Sequence, residues 1–191
     1  MPDDVAKSLS KMGVTVTTKA TDCTHLLAAG IVRTEKFLCA IANGAHILKK
    51  EWATESAKAG KILPESNYLL KDPGNRHGVD VQQSLERARK TKLFTGKTFY
   101  VSGKSIANAI PLMKNVVAAG GGQLREAQKL TQRVIAGGPE RYAISSQDDT
   151  SVWRQLGESG TPVYSVELII AGTLKQTFDT EAARLEWTGD D

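Results

Sequence analysis

Apolar positions along the chain alternate between the spacing of a helix and that of a strand. Apolar residues from Val5 to Met12 recur at helical spacing, and Gly13 ends that helix. The β-branched run 14–17 predicts a strand. Residues 25–28 predict a second strand, apolar enough to be buried on both faces. Three more elements complete this set: a helix over 34–43 closed by Gly44, a strand at 46–48, and a helix around Trp52 that ends before Gly60.

The same order of elements returns roughly a hundred residues later, which indicates an internal repeat. The second copy opens on a strand at 98–101. A helix follows, with Pro111 near its start and Gly120-Gly121-Gly122 at its end. Alternating strands and helices predict a parallel sheet with helices on both faces. The remaining predicted elements are strands at 123–124, 142–145 and 162–164 and helices over 150–158 and 166–174.

A segment punctuated by Pro64, Pro73, Gly74 and Gly78 separates the two copies. Inside it, apolar Val81, Leu85 and Ala88 indicate a short amphipathic helix with Arg87, Arg89 and Lys90 outside. The predicted fold class is therefore α/β: two small domains, each a short parallel sheet flanked by helices, packed in tandem through a helical linker. The predicted parts are a first domain at 1–63, a linker at 64–92, a second domain at 93–175 and an acidic C-terminal tail at 176–191.

The two copies differ at their beginnings. The second copy opens on the strand at 98–101, whereas the first opens directly on its helix. The leading strand of the first copy would lie before Met1, so we expect a fragment, or a protein begun at an internal methionine. Because a parallel sheet without one of its strands exposes an edge, we expect an open edge in the first domain.

Composition narrows the class of protein. Of the 191 residues, 40% are hydrophobic, which is enough for a packed core. The chain carries a modest net charge of +4. Proteins that bind duplex DNA usually show a denser basic stripe than this charge provides. Cys23 and Cys39 show neither a disulfide framework nor zinc spacing. No signal peptide and no bilayer-spanning apolar run is present. These features predict a soluble, reduced, intracellular protein.

The sequence offers little chemistry for catalysis. It shows no base–nucleophile pair and no carboxylate pair spaced for acid–base work. We therefore expect no enzyme activity, no cofactor and no metal.

One cluster does suggest binding. Arg33-Thr34-Glu35-Lys36 stands directly before the apolar pair Phe37-Leu38 at a predicted helix start. Cations three residues apart share a helix face, and helix N-termini favour anions. The cluster predicts a small socket for a phosphate or a carboxylate; the alternative is an ordinary solvated helix face.

Several motifs together resemble a tandem pair of BRCT domains. The second copy contributes Gly120-Gly121 and Ile144, with Leu168 where a tryptophan would be expected. The likeness covers nearly the whole chain. The chain is most similar to the C-terminal pairs of fungal multi-BRCT DNA-damage scaffolds and of the animal mediator of DNA damage checkpoint. The first copy contributes Gly13, Thr24-His25-Leu26-Leu27, Arg33-Thr34-Glu35-Lys36-Phe37 and Trp52.

The resemblance implies a nuclear clamp for phosphoserine peptides in the DNA-damage response. Lys36 matches the family lysine that holds the phosphate, with Thr34 as a helper through water or as N-cap. Arg33 matches the arginine that meets the peptide downstream, including a free C-terminal carboxylate. The implied partner is the phosphorylated tail of histone two-A. The family's phosphate-binding hydroxyl, in the turn after the first strand, would lie before Met1.

Three further interpretations stay open. Ser102 and Gly103 follow the leading strand of the second copy, and Arg154 is placed at the Lys36 position, so a second anion site is predicted there. The pair could also be a scaffold that docks folded partners without reading phosphate. A third interpretation is direct binding of DNA ends through the basic linker.

Overall fold

The computed structural model describes residues 1–19, 21–71 and 78–189 of the chain. Pro73 and Gly74 of the predicted linker, and Asp190 and Asp191 of the predicted tail, lie outside the described residues. Within those ranges, no helix is both long and apolar enough to cross a membrane.

The first unit, residues 1–19 and 21–71, contains a small parallel sheet flanked by helices. Strand β1 pairs in parallel with β2, with His25 opposite His46. Gly44 closes the helix before β2 in a left-handed conformation, with φ of 69°, which a residue with a side chain rarely adopts. In order, the elements are α1 Asp3–Lys11, β1 His25–Leu27, α2 Glu35–Asn43, β2 His46–Leu48 and α3 Glu51–Ala59, followed by a 3₁₀ turn at Glu65–Tyr68.

A linker helix, α4 Val81–Lys90, leads into the second unit, residues 92–189. As predicted, its apolar residues are buried and its basic residues are exposed. The second unit's sheet is parallel and ordered β4-β3-β5-β6. Its elements are β3 Thr98–Val101, α5 Ile110–Ala119, β4 Gln123–Glu126, α6 Gln132–Ile135, β5 Arg141–Ile144, α7 Thr150–Glu158, β6 Val163–Tyr164, α8 Glu167–Lys175 and α9 Thr180–Ala183. The α/β prediction is confirmed; the short helices α6 and α9 were not predicted.

The predicted strand at 14–17 is wrong, because these residues form no strand. In the second unit, the corresponding strand β4 pairs only with the leading strand β3. The first unit has no counterpart of β3 among the described residues, so residues 14–17 have no neighbouring strand with which to form a β ladder. β1 is likewise half-buried along its length instead of buried on both faces. A slot of about 770 Å³ lies between residues 13–19 and β1, bordered also by Leu9, Lys36 and Trp52.

Helix α2 joins the two units. Residues 37–42 of this helix are each no more than 1% exposed. A helix that is apolar all round is one that packs on every side. One face of α2 meets its own sheet, and another meets α5 and α8 of the second unit and the linker helix α4. Its apolar side chains therefore belong to one continuous core with Met113 of α5 and Ile169 of α8.

Lys92, just after α4, caps helices from both units. Its Nζ donates to the carbonyl of Ala42 at 3.1 Å and to Oδ1 of Asn43 at 2.8 Å, both at the end of α2. It also donates to the carbonyl of Ala119, the last residue of α5, at 2.9 Å. A cation at a helix C-terminus is favoured by the helix dipole. Burial lowers the pKa of this ammonium from its ordinary value.

Much of the predicted acidic tail packs against the second unit. Gln176 is buried, and the ring of Trp187 lies edge-on to that of Trp153, with centroids 5.4 Å apart. A side-chain carbon at Gly157 would come within 2.4 Å of Trp187, so glycine is required for this contact. The residues up to Trp187 are thus part of the second unit's structure.

Replacing Lys92 with Met should lower the free energy of unfolding by about 1.5–3 kcal/mol, because three carbonyl-type acceptors lose their charged donor. Urea denaturation of the variant measures this loss. The control is Lys90→Met, which removes an exposed cation two residues away. Equal stability of the two variants would show that Lys92 does not hold the units together.

Candidate functional site

The cluster predicted from sequence stands at the start of α2. Thr34 occupies the N-cap position with an extended backbone, φ −79° and ψ 154°, and its hydroxyl makes no capping bond. Glu35 and Lys36 are the first two residues of the helix, and Arg33 precedes it. The predicted sharing of one helix face by Arg33 and Lys36 is therefore wrong, since Arg33 lies outside the helix.

Arg33 instead reaches the second unit. Its Nη1 donates to Oε1 of Glu167, at the start of α8, over 2.7 Å. The two side chains are 59% and 42% exposed. Exposed ion pairs of this kind contribute about 0–1 kcal/mol, so little free energy opposes the transfer of Arg33 to another carboxylate.

A second hydrogen bond between the units involves Glu35, two residues after Arg33. Oε1 of Glu35 accepts from Nδ2 of Asn115 in α5 at 3.0 Å. Together with the Arg33–Glu167 pair, it fixes the start of α2 against two helices of the second unit.

Lys36 lies on the other side of the helix start. Its side chain is exposed and borders the slot between residues 13–19 and β1, together with Cys23 and Thr24. The structure thus places Arg33 toward the second unit and Lys36 toward the slot, with Thr34 between them. A ligand that contacts both cations must cross the start of α2.

The second predicted anion site has a different geometry. Ser102 is 4% exposed, and its hydroxyl donates to the carbonyl of Gln128 at 3.0 Å. Arg154 is the fifth residue of α7, whereas Lys36 is the second residue of α2, so the predicted equivalence of the two is one turn out of register. Counted from the helix starts, Ser151 of α7 stands at the position of Lys36.

Sequence reasoning missed Glu167 and Asn115. Glu167 is an acidic residue in the first turn of α8, a position that acids favour at helix N-termini in general. It lies 134 residues from Arg33, and no local pattern links the two.

The cysteines lack the features of reactive thiols. Burial raises the pKa of Cys39 to about 11, which keeps this thiol protonated. Burial also raises the pKa of the half-buried Cys23. In the part of the chain that the structure describes, no three acidic, cysteine or histidine side chains converge to hold a metal ion.

Comparison with known families gives the same architecture. Residues 2–70 match the family model described as the BRCT domain of regulator of Ty1 transposition protein 107. Residues 92–183 match the general BRCT domain model. The chain belongs to the BRCT family. It holds two BRCT domains in tandem, which confirms the resemblance read from its motifs.

Related proteins include DNA damage checkpoint proteins. The chain is 32% identical over 183 residues to PAX-interacting protein 1 of Bos taurus, an alignment that covers 92% of this chain. It is 30% identical over 178 residues to mediator of DNA damage checkpoint protein 1 of Homo sapiens. The chain spans 18% and 8% of the lengths of these two relatives.

Solved structures have the same tandem arrangement. The fifth and sixth BRCT domains of Schizosaccharomyces pombe Brc1 match with a TM-score of 0.82 and 26% identity, covering 94% of this chain and 90% of that one. A complex of Rtt107p with phosphorylated histone two-A matches with a TM-score of 0.66 over 95% of this chain and 85% of that one, at 16% identity. At that identity, the second likeness concerns the fold.

Glu167→Gln should lower the free energy of unfolding by less than about 1 kcal/mol, because the ion pair with Arg33 is exposed. Urea denaturation beside the control Glu51→Gln, which removes an exposed acid from the first turn of α3, tests this. A loss well above that of the control would mean that Arg33 is held for structure and is not available to a ligand.

Proposed function

We propose that this BRCT pair is a phosphopeptide-binding adaptor module of the DNA-damage response, which reads a phosphoserine close to a protein C-terminus. The observation that carries the proposal is the start of α2, where Lys36 borders the slot, Arg33 pairs with Glu167 of the second domain, and Thr34 lies between them in sequence.

Each of the three residues suits one part of such a ligand. A phosphoserine carries close to two negative charges, and Lys36 supplies an exposed point charge for them. The hydroxyl of Thr34 makes no capping bond, so it can donate to the phosphate or to a bridging water. The planar guanidinium of Arg33 matches a carboxylate, including the one that ends a polypeptide.

Two hydrogen bonds across the domain interface support a peptide path over these residues. Glu167 and Asn115 hold Arg33 and Glu35 from the second domain. A peptide with its phosphate at Lys36 and its C-terminal carboxylate at Arg33 runs over the start of α2 toward α8. Because the exposed pair with Glu167 is weak, Arg33 can exchange Glu167 for the ligand carboxylate. Affinity therefore depends on both domains.

The phosphorylated tail of histone two-A is the partner we propose. Support comes from the Rtt107p complex with that phosphorylated histone and from the relatives named for the DNA damage checkpoint. Such a partner places the protein in the nucleus, as an adaptor that needs neither a cofactor nor a membrane.

Direct binding of DNA ends through the linker is less favoured by the structure. Nη1 and Nη2 of Arg87 donate to the carbonyl of Lys175 and to Oε1 of Gln83. Nε of Arg89 donates to the carbonyl of Gly44 at 2.8 Å. These guanidinium groups join the linker helix to both domains, which leaves them less free for phosphates of a duplex.

Lys36→Met should remove the preference for a phosphorylated over an unphosphorylated histone two-A tail. The loss of one charged partner from a phosphate that is largely desolvated when bound should weaken phosphopeptide binding by about 2–5 kcal/mol. Isothermal titration of both peptides against the chain and the variant measures it.

Lys58→Met is the matched control, because it removes an exposed lysine from α3, away from the start of α2. If the unaltered chain binds both peptides equally, the pair is a scaffold that does not read phosphate. Steep salt dependence with plain DNA would favour the DNA interpretation.

The losses of binding free energy caused by Arg33→Ala and by amidation of the peptide C-terminus should not be additive. We expect amidation to weaken binding to the unaltered chain, and to have little further effect on the Arg33→Ala variant, because both changes remove the same ion pair. Full additivity in this double-mutant cycle would place the carboxylate elsewhere.

A further inference from the structure

The turn after β3 in the second domain, residues 102–105, forms an anion cradle from its backbone. The N–H groups of Lys104 and Ser105 both donate to one side chain, Asp149. Gly103 adopts φ of +140°, in the region that favours glycine. A side-chain carbon at Gly103 would stand 2.4 Å from Oδ2 of Asp149, so the close approach of this carboxylate requires glycine.

Both carboxylate oxygens of Asp149 accept hydrogen bonds from this turn. It occupies the N-cap position of α7, yet its side chain makes no capping bond to that helix. Instead, Oδ1 accepts from Lys104 N–H and Oδ2 from Ser105 N–H, each at 3.0 Å. The residue is only 9% exposed. Two successive backbone N–H groups aimed at one point bind oxyanions in general.

The internal repeat allows this contact to be compared with the corresponding helix start of the first domain. Thr34 is the N-cap of α2, and Asp149 holds the corresponding place at the start of α7. In the first domain, that position lies two residues before Lys36, where the ligand phosphate is proposed to bind. In the second domain, the same position carries the protein's own negative charge, already bound by the turn.

We propose that Asp149 is a built-in anion: its carboxylate occupies the oxyanion cradle of the second domain, keeps phosphate groups out, and makes the tandem pair a single-phosphate reader. Removing this carboxylate should open a site for an oxyanion such as inorganic phosphate at Lys104 and Ser105. The single-phosphate reading rests on the proposed function of the first domain. The filled cradle itself lies wholly in the second domain, so its test can fail or succeed independently of the histone-tail proposal.

The test is a titration of inorganic phosphate into the isotopically labelled chain, monitored at the backbone amides of Lys104 and Ser105. The unaltered chain should show no phosphate-dependent shift there. Asp149→Ser places a hydroxyl at the N-cap position of α7 and vacates the cradle, so its shifts at these two amides should be at least tenfold larger than in the unaltered chain.

Asp148→Ser is the matched control, because it removes the same charge from the neighbouring exposed residue and leaves the cradle filled. Equal shifts in the two variants, or phosphate-dependent shifts at these amides in the unaltered chain, would overturn the proposal. If Asp149→Ser does not fold, Asp149→Thr takes its place with the same expected gain, and phosphate-dependent shifts in the unaltered chain would still overturn the proposal.

Discussion

Helix α2 is buried between its own sheet and the helices of the neighbouring domain, and the geometry of the site depends on that burial. Its residues 37–42 are almost completely removed from solvent. Both ends of the helix are also tied to the second domain. Lys92 bridges its C-terminus to that of α5, and Glu167 and Asn115 bond the residues at its start. The position of the cluster is thus set by the packing between domains, since a loop alone would leave it mobile.

The two domains share a fold but present different environments for an anion. In the first, the start of α2 stands beside an open slot, with an exposed lysine and a hydroxyl that makes no capping bond. In the second, β3 lies between β4 and β5, and the turn that follows it is bound to Asp149. One copy of the repeat is therefore suited to take a ligand, and the other to support it through Glu167 and Asn115.

Much of the fold could be read from local patterns, because periodicity and glycine stops are local. The existence of α4, the bounds of α7 and the end of α2 at Gly44 follow from such signals. The prediction of a strand at 14–17 failed because β propensity alone forms no strand without a neighbouring strand to pair with. The four-residue helices α6 and α9 are too short to show a period.

The site was predictable only in part, for the same reason. The residues at the start of α2 form a compact local motif, and the resemblance to the BRCT family gave each of them an expected role. The partners of that motif lie far away in sequence: Glu167 is 134 residues from Arg33, and Asn115 is 80 from Glu35. The contact of Asp149 with Lys104 spans 45 residues. Packing between elements decides such pairs, and no local spacing encodes it.

Phosphopeptide binding across both domains is tested most directly on the isotopically labelled chain. The experiment maps which amide signals move when a phosphorylated histone two-A tail is added. We expect shifts on both sides of the domain interface, at Arg33 to Lys36 in the first domain and at Asn115 and Glu167 in the second, with none from the unphosphorylated tail. Shifts confined to one domain, or the same shifts from both peptides, would contradict the account.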